Sequence, residues 1–253
     1  MSEPTTPLWL TRILVELPSL PWPVTFQFSA RRRTVSIEVR EGQVRVLAPK
    51  GIAKRDLQAL LQARHQWVSA KLSQQQQRIA SRPRYRYQAG ERLPYLGGQL
   101  TLAIANGTRA ACVRDADLLR VWLSSRSRKS VTEQVYQSVA QWYRHDALRL
   151  LEAKTQQLCR ATGLQCQGVN IRATRSKWGH CTSDGYIQYN WQIVLAPMAV
   201  VDYLVAHEVS HLRHHNHSRA FWQQVHAICP DYQRQRIWLR EQGHRLILPP
   251  YER

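Results

Sequence analysis

The sequence predicts an α+β chain, on three observations. Apolar residues alternate with a period of two in short stretches of the first half, they recur at three- or four-residue steps from Val131 to Leu158, and a further helical stretch opens at Pro197. Val35, Ile37 and Val39 share one face, Glu41-Gly42 supplies a turn, and Val44, Val46 and Ala48 repeat the period, which predicts a hairpin. Pro49-Lys50-Gly51 ends it. From Lys54, the residues Leu57, Leu60, Leu61, Trp67, Val68 and Leu72 fall at helical spacing and predict one helix running into Gln74 to Gln77. Residues 78–92 lack apolar periodicity and read as a basic connector, after which Tyr95 to Ile104 reads as strand, Gly97-Gly98 turn and strand, and Leu118 to Leu123 as another strand. The first lobe is thus expected to be mostly β with one helix and to span 1–125, with the Ser- and Arg-rich segment Ser124 to Ser130 as the boundary to a second lobe, 126–253.

In that second lobe Val131, Val135, Val139, Trp142, Ala147, Leu150 and Leu158 predict a long amphipathic helix closed at Gly163. Strand signals follow around Val169 to Arg172 and Tyr186 to Val194, the latter interrupted near Asn190-Trp191. Pro197 then opens a helix at its first turn, where a missing N–H costs nothing. No sequence repeat or low-complexity array stands out.

The composition suits such a chain. Of 253 residues 43% are hydrophobic and 21% charged, an ordinary globular balance able to bury a core. No run approaches the ~18–20 apolar residues that span a bilayer, and the N-terminal stretch lacks the marks of an export leader, so no membrane association and a cytoplasmic location are expected. Cys112, Cys159, Cys166, Cys181 and Cys229 are odd in number and form no CxxC, which argues against a disulfide framework or a cysteine metal cage. Lys and Arg total 36 against 17 Asp and Glu, a net +19, so weak association with nucleic acid or nucleotides is weighed against a merely basic, soluble surface. Arg31 to Arg33, Arg82 to Arg86, Arg126 to Lys129 and Arg234 to Arg245 are local clusters, none of them a polybasic tail.

The chemistry is concentrated in His207-Glu208-Val209-Ser210-His211, an H-E-x-x-H run inside the last helix. Four residues advance a helix by ~40° beyond a full turn, so His207 and His211 project side by side and two imidazoles reach one metal. Val201, Val205, Val209 and Leu212 take the opposite face. Glu208 lies ~100° round the axis, beside the metal face and not on it, which suits a general base acting on a metal-bound water. A catalytic zinc takes three protein ligands and keeps one position open. The third is sought in His214-His215-Asn216-His217: Asn216 readily takes a turn conformation and re-aims His217, which is preferred, with His214 as the fallback. The competing reading is a basic, histidine-rich helix end without a metal.

These residues also carry a resemblance. Arg175-Ser176-Lys177-Trp178-Gly179-His180-Cys181-Thr182-Ser183, Ile187 to Trp191, Leu195-Ala196-Pro197, Asp202 to His211, Asn216-His217-Ser218, Phe221-Trp222 and Pro230-Asp231-Tyr232 together resemble the YgjP-like metallopeptidase family, relatives of the SprT-type zincins. The likeness runs over roughly 165–245, and more faintly through Arg32-Arg33, Ala48-Pro49 and the helix bearing Trp67; His180 stands where family members commonly have Ser. It implies a zincin-like catalytic lobe, with the H-E-x-x-H helix beside a small sheet, and a three-histidine site at His207, His211 and His217. It further implies that Trp178 to Asn190 lines a cleft whose strand edge accepts an extended peptide, with Trp178, Gly179 and Asn190 as substrate-contacting residues. Core packing is the competing reading for Trp178 and Trp191, and the expected role of Phe221, Trp222, Val225 and Ile228. For Cys181 a buried free thiol is favoured over a fourth ligand.

The sequence therefore predicts a zinc-dependent peptidase, with Zn2+ as cofactor and a peptide or protein as substrate. Two alternatives accompany it: a metal-dependent nucleoside triphosphate pyrophosphohydrolase, for which the basic surplus is the motive, and a basic nucleic-acid-associated protein with a structural metal. Glu208 speaks against the last, because a structural site is closed by four ligands and needs no adjacent base.

Overall fold

The structure, a computed structural model, describes residues 11–15, 20–40, 42–174 and 176–250. The N-terminal stretch, Glu41 of the expected turn and Arg175 of the family-like loop lie outside the described residues. The chain divides into two compact units, Met1–Ser81 and Arg82–Arg253.

The first unit is a four-stranded sheet with two helices. Strands β1 (Thr11–Val15), β2 (Val24–Ser29), β3 (Ser36–Arg40) and β4 (Gln43–Pro49) lie in the order β1-β2-β4-β3. The expected hairpin is β3 and β4, paired antiparallel with Val39 opposite Val44, while β4 runs parallel to β2. Along β4, Val44, Val46 and Ala48 are buried and Gln43 and Arg45 exposed, the alternation of a sheet covered on one face. The cover is α1 (Lys54–Ala63) and α2 (His65–Ala80), whose Leu57, Leu61, Val68 and Leu72 join Val24, Phe26 and the β4 residues in one core. The single helix expected here is broken at Arg64, which leaves helical geometry at φ −104°, ψ 5°. The break rotates the second segment, so Trp67, counted in the apolar stripe, is 43% exposed.

The second unit holds two sheets and the remaining helices. Strands β5 (Arg92–Tyr95), β6 (Gly98–Gly107), β7 (Ala111–Asp115) and β8 (Leu118–Ser124) lie in the order β5-β6-β8-β7. Antiparallel, parallel and antiparallel pairings follow in turn, as in the first sheet. The β5–β6 turn sits at Leu96-Gly97, both at positive φ (51° and 89°), so the bend comes one residue before the expected Gly97-Gly98. α3 (Val131–Thr162) covers this sheet. Its start is fixed by the Ser130 hydroxyl, which accepts from the Glu133 amide, and its end by Gly163 at φ 66°. Ser130→Ala is expected to cost about 1 kcal/mol of stability, read by denaturant unfolding of the chain.

Val135, Val139, Tyr143, Ala147, Leu151 and Cys159 form the buried face of α3, packing on Leu93, Leu100, Leu102, Leu119 and Val121. The Tyr143 hydroxyl also donates to the Pro94 carbonyl at 2.9 Å. This shared core places the strands of 92–124 with the helices of the second unit, and the division falls after Ser81, not at 125/126 as the Ser- and Arg-rich segment suggested.

The third sheet has the order β10-β11-β9, from β9 (Gly168–Arg172), β10 (Gly179–Cys181) and β11 (Tyr186–Asn190). β11 is fastened to α3 by a hydrogen bond between the fully buried Tyr189 hydroxyl and Thr155, 2.9 Å long. The strand expected to reach Val194 ends at Asn190, whose side chain accepts from the Gln192 amide at 3.1 Å and turns Trp191–Leu195 into a 3-10 segment. Then come α4 (Met198–His211), α5 (Arg219–Ile228) and α6 (Tyr232–Gln242). α4 is buried nearly all round, through Val200, Val201, Tyr203, Leu204, Val205, Ala206, Val209 and Ser210, so it is a central helix and not one with a single packing wall. No helix among the described residues is long and apolar enough to cross a membrane.

Candidate metal centre

His207 and His211 stand one turn apart on α4, with ring centroids 4.9 Å apart. The chain leaves the helix at Leu212, turns through 213–216 and brings His217 back, its Nε2 3.1 Å from His207 Nε2. Its ring centroid is 4.8 Å from that of His211. One ring nitrogen from each residue lies within 4.8 Å of the others, a grouping able to hold a metal ion.

The fallback ligand has another place. The backbone carbonyl of His214 accepts from His211 Nδ1 at 2.9 Å. A carbonyl only accepts, so Nδ1 carries the proton and His211 Nε2 is left with its lone pair free for a cation. The imidazole of His214 is outside the grouping. Burial is the main cause that pushes His207 down to about 3, and it lowers His211 too. Both rings are therefore neutral donors at neutral pH, the protonation state metal ligation requires. The residues fit a divalent metal.

Glu208, 4% exposed, lies in the same cleft lining as the histidines, against Gly179 of β10. A Cβ built on Gly179 would lie 2.2 Å from its Oε1, 2.5 Å from Cδ and 2.6 Å from Cγ, so the carboxylate fills the space that any other residue at 179 would need. Gly179, expected as a substrate contact, is first of all the gap into which Glu208 fits. Burial raises the Glu208 carboxyl to about 8, opposed by the charge of Lys177. A dication beside it would favour the ionised form again.

The three histidines back onto aromatic rings. Phe221, fully buried, stacks on His211 at 4.5 Å and meets His207 edge-on at 5.0 Å. Trp222 stacks on His217 at 5.6 Å, with Tyr232 stacked on it in turn at 5.3 Å. Their helical spacing reads as core, and Phe221 and Val225 are indeed in it, but the pattern could not show that Phe221 and Trp222 fix the ring planes of the site. The Ser218 hydroxyl starts α5 directly after His217, accepting from the Phe221 amide at 3.4 Å, and so ties that histidine to the aromatic pair.

A cleft of about 450 Å³ opens over the histidines, lined by Trp178, Gly179, His180 and Cys181 on one side and Tyr203, His207, Glu208 and His211 on the other. Trp178 is half-buried, its indole 3.2 Å from a Cβ built on Gly243, so it packs and lines at once. Asn190 packs without lining. It is 4% exposed and absent from the cleft lining, with its amide spent on the Thr174 carbonyl (2.9 Å) and the Gln192 amide. Its sequence neighbourhood suggested substrate contact; its hydrogen bonds make it a splint that holds the loop before β10 to the end of β11. Cys181 is a free thiol in the lining, pushed up to about 11 by burial and hence protonated. Lys177, Leu204, His215, His217 and Leu239 complete the lining, and of these Leu239 was not singled out, for its spacing marks it only as a helix residue.

A family model described as YgjP-like, metallopeptidase domain matches residues 33–242. The crystal structure of the metallopeptidase zymogen of Pyrococcus abyssi abylysin is similar over 36% of this chain and 95% of its own, with 22% identity and a TM-score of 0.33. No curated protein matches the chain.

Proposed function

We propose, from the premise that this chain belongs to the YgjP-like metallopeptidase family, that it is a zinc-dependent peptidase in which His207, His211 and His217 hold the metal and Glu208 is the general base. The observation that carries this is the convergence of three imidazole nitrogens within 4.8 Å, with a buried carboxylate beside them and an open cleft above. Three neutral nitrogen donors suit zinc, and three are the number a catalytic site uses. Zinc bound there would act as a Lewis acid on water and on the substrate carbonyl. The chain supplies the rest. Glu208 receives the proton of the attacking water and returns it to the departing amine, and the gap at Gly179 sets where its carboxylate stands. Strand β10 pairs only with β11 among the described strands, and Gly179, His180 and Cys181 line the cleft, which supports pairing of an extended peptide along the free edge.

The test is to incubate the zinc-loaded protein and its Glu208→Gln variant with a mixture of peptides and, separately, with nucleoside triphosphates. Peptide cleavage that vanishes in the variant is the expected result; nucleotide hydrolysis in place of it would overturn the peptidase reading. Gly179→Ala is expected to retain zinc and to lose activity on the order of 10²-fold, since the added methyl must displace the base or the strand by about 1 Å. Metal analysis beside the same assay checks this.

A further inference from the structure

Among the described residues, Glu208 is the only carboxylate in the cleft lining, which it shares with the three histidines. Apart from the Cys181 thiol and the Tyr203 phenol, both kept neutral by burial, the other ionisable groups around the cleft are of the opposite or potentially opposite sign. Lys177 lies in the lining where the chain enters β10, exposed, with its backbone carbonyl held by the Thr174 hydroxyl. His180 and His215 line the cleft as well, and both bear on His211 electrostatically. On the far side the Arg236 guanidinium stands 4.6 Å over the Trp222 ring, and its charge reaches His207 and Tyr203. Neither Lys177 nor Arg236 has an ion-pair partner among the described residues.

Cations without counter-ions in or near a concave site attract anionic groups and repel cationic ones, raising the encounter rate for the first and penalising the second. A carboxylate of Glu208, committed to the reaction, cannot serve as their partner. A substrate carboxylate can. Of the two, Arg236 sits behind the Trp222 ring, whereas Lys177 lies in the lining itself, next to the strand edge available to a peptide backbone.

We infer that the cleft selects extended peptides bearing an Asp or Glu side chain beside the scissile bond, with Lys177 the side chain that meets that carboxylate. This rests on the peptidase reading and names its substrate class. The selection is electrostatic: it weakens with added salt, and it is carried by one residue that neither ligates the metal nor takes a proton in the reaction.

The experiment uses zinc-loaded protein and peptides identical except for Glu, Gln or Lys at each position flanking the cut. The expected order of kcat/KM is Glu over Gln over Lys at one such position, with Glu and Lys at least ~10-fold apart at low salt and converging as salt rises. Lys177→Gln is expected to flatten the order and Lys177→Glu to reverse it, both with unchanged zinc content. Binding of the same peptides to the Glu208→Gln variant, followed by calorimetry, should show the same order without turnover. Cleavage without a charge preference, or a preference that persists in Lys177→Glu, overturns the inference while leaving the peptidase reading intact. Absence of cleavage and of binding for every peptide, with nucleoside triphosphates hydrolysed instead, overturns both.

Discussion

Glu208→Gln should leave a folded protein that still takes up zinc but cleaves peptides more slowly by about 10²–10⁴-fold, the usual contribution of a general base. The side chain is buried against Gly179, and Gln is close to Glu in volume and in helix propensity, so the packing of α4 on β10 survives the exchange. None of the clustered imidazole nitrogens is touched. Substrate affinity should hold, so the loss appears in kcat more than in KM. Metal analysis and steady-state kinetics on one preparation check it. If the variant loses zinc, Glu208 is a ligand; if it keeps both zinc and activity, the general-base assignment fails.

His207→Ala, His211→Ala and His217→Ala are each expected to abolish stoichiometric zinc binding, because two remaining nitrogens leave an incomplete shell. His214→Ala should bind as the parent does. That residue contributes its backbone carbonyl to His211 Nδ1, and alanine has the same carbonyl. Elemental analysis after dialysis separates these outcomes. Retention of zinc by His217→Ala together with its loss from His214→Ala would reverse the assignment of the third ligand. Zinc should also raise the unfolding temperature of the parent and of His214→Ala, and leave that of the other three unchanged.

Sequence pattern carried some of this a long way and then stopped for physical reasons. Periodicity marks an element when one face is buried: β4 alternates, and Ser130 and Gly163 bracket α3 with residues that satisfy helix ends. β7 gives no such signal, since four of its five residues are exposed and only Cys112 turns partly inward. The division after Ser81 was hidden because a Ser- and Arg-rich segment looks like a linker, whereas allegiance is decided by which core Leu93, Leu100 and Leu119 fill. At the site, helical geometry alone set His207 beside His211, and a turn-prone Asn216 was enough to point to His217. What it could not give were contacts between distant positions: the Gly179 gap across from Glu208, the bonds that occupy Asn190, and the rings of Phe221 and Trp222 behind the histidines. Each depends on where separate elements meet, and no local period records that.

The gap at Gly179 couples the Glu208 side chain to the strand. Glu208 is wedged on the backbone of β10, so the strand cannot slide or tilt toward α4 without pushing the carboxylate, and the carboxylate cannot swing toward the strand. β10 is three residues long and, among the described strands, bonded along one side only, the condition of an edge that fluctuates. A chain laid along its free side would add a second ladder of hydrogen bonds and damp that motion. The same act that docks a substrate would then steady the proton acceptor, and a peptide too short to span Gly179 to Cys181 would forfeit turnover as well as affinity.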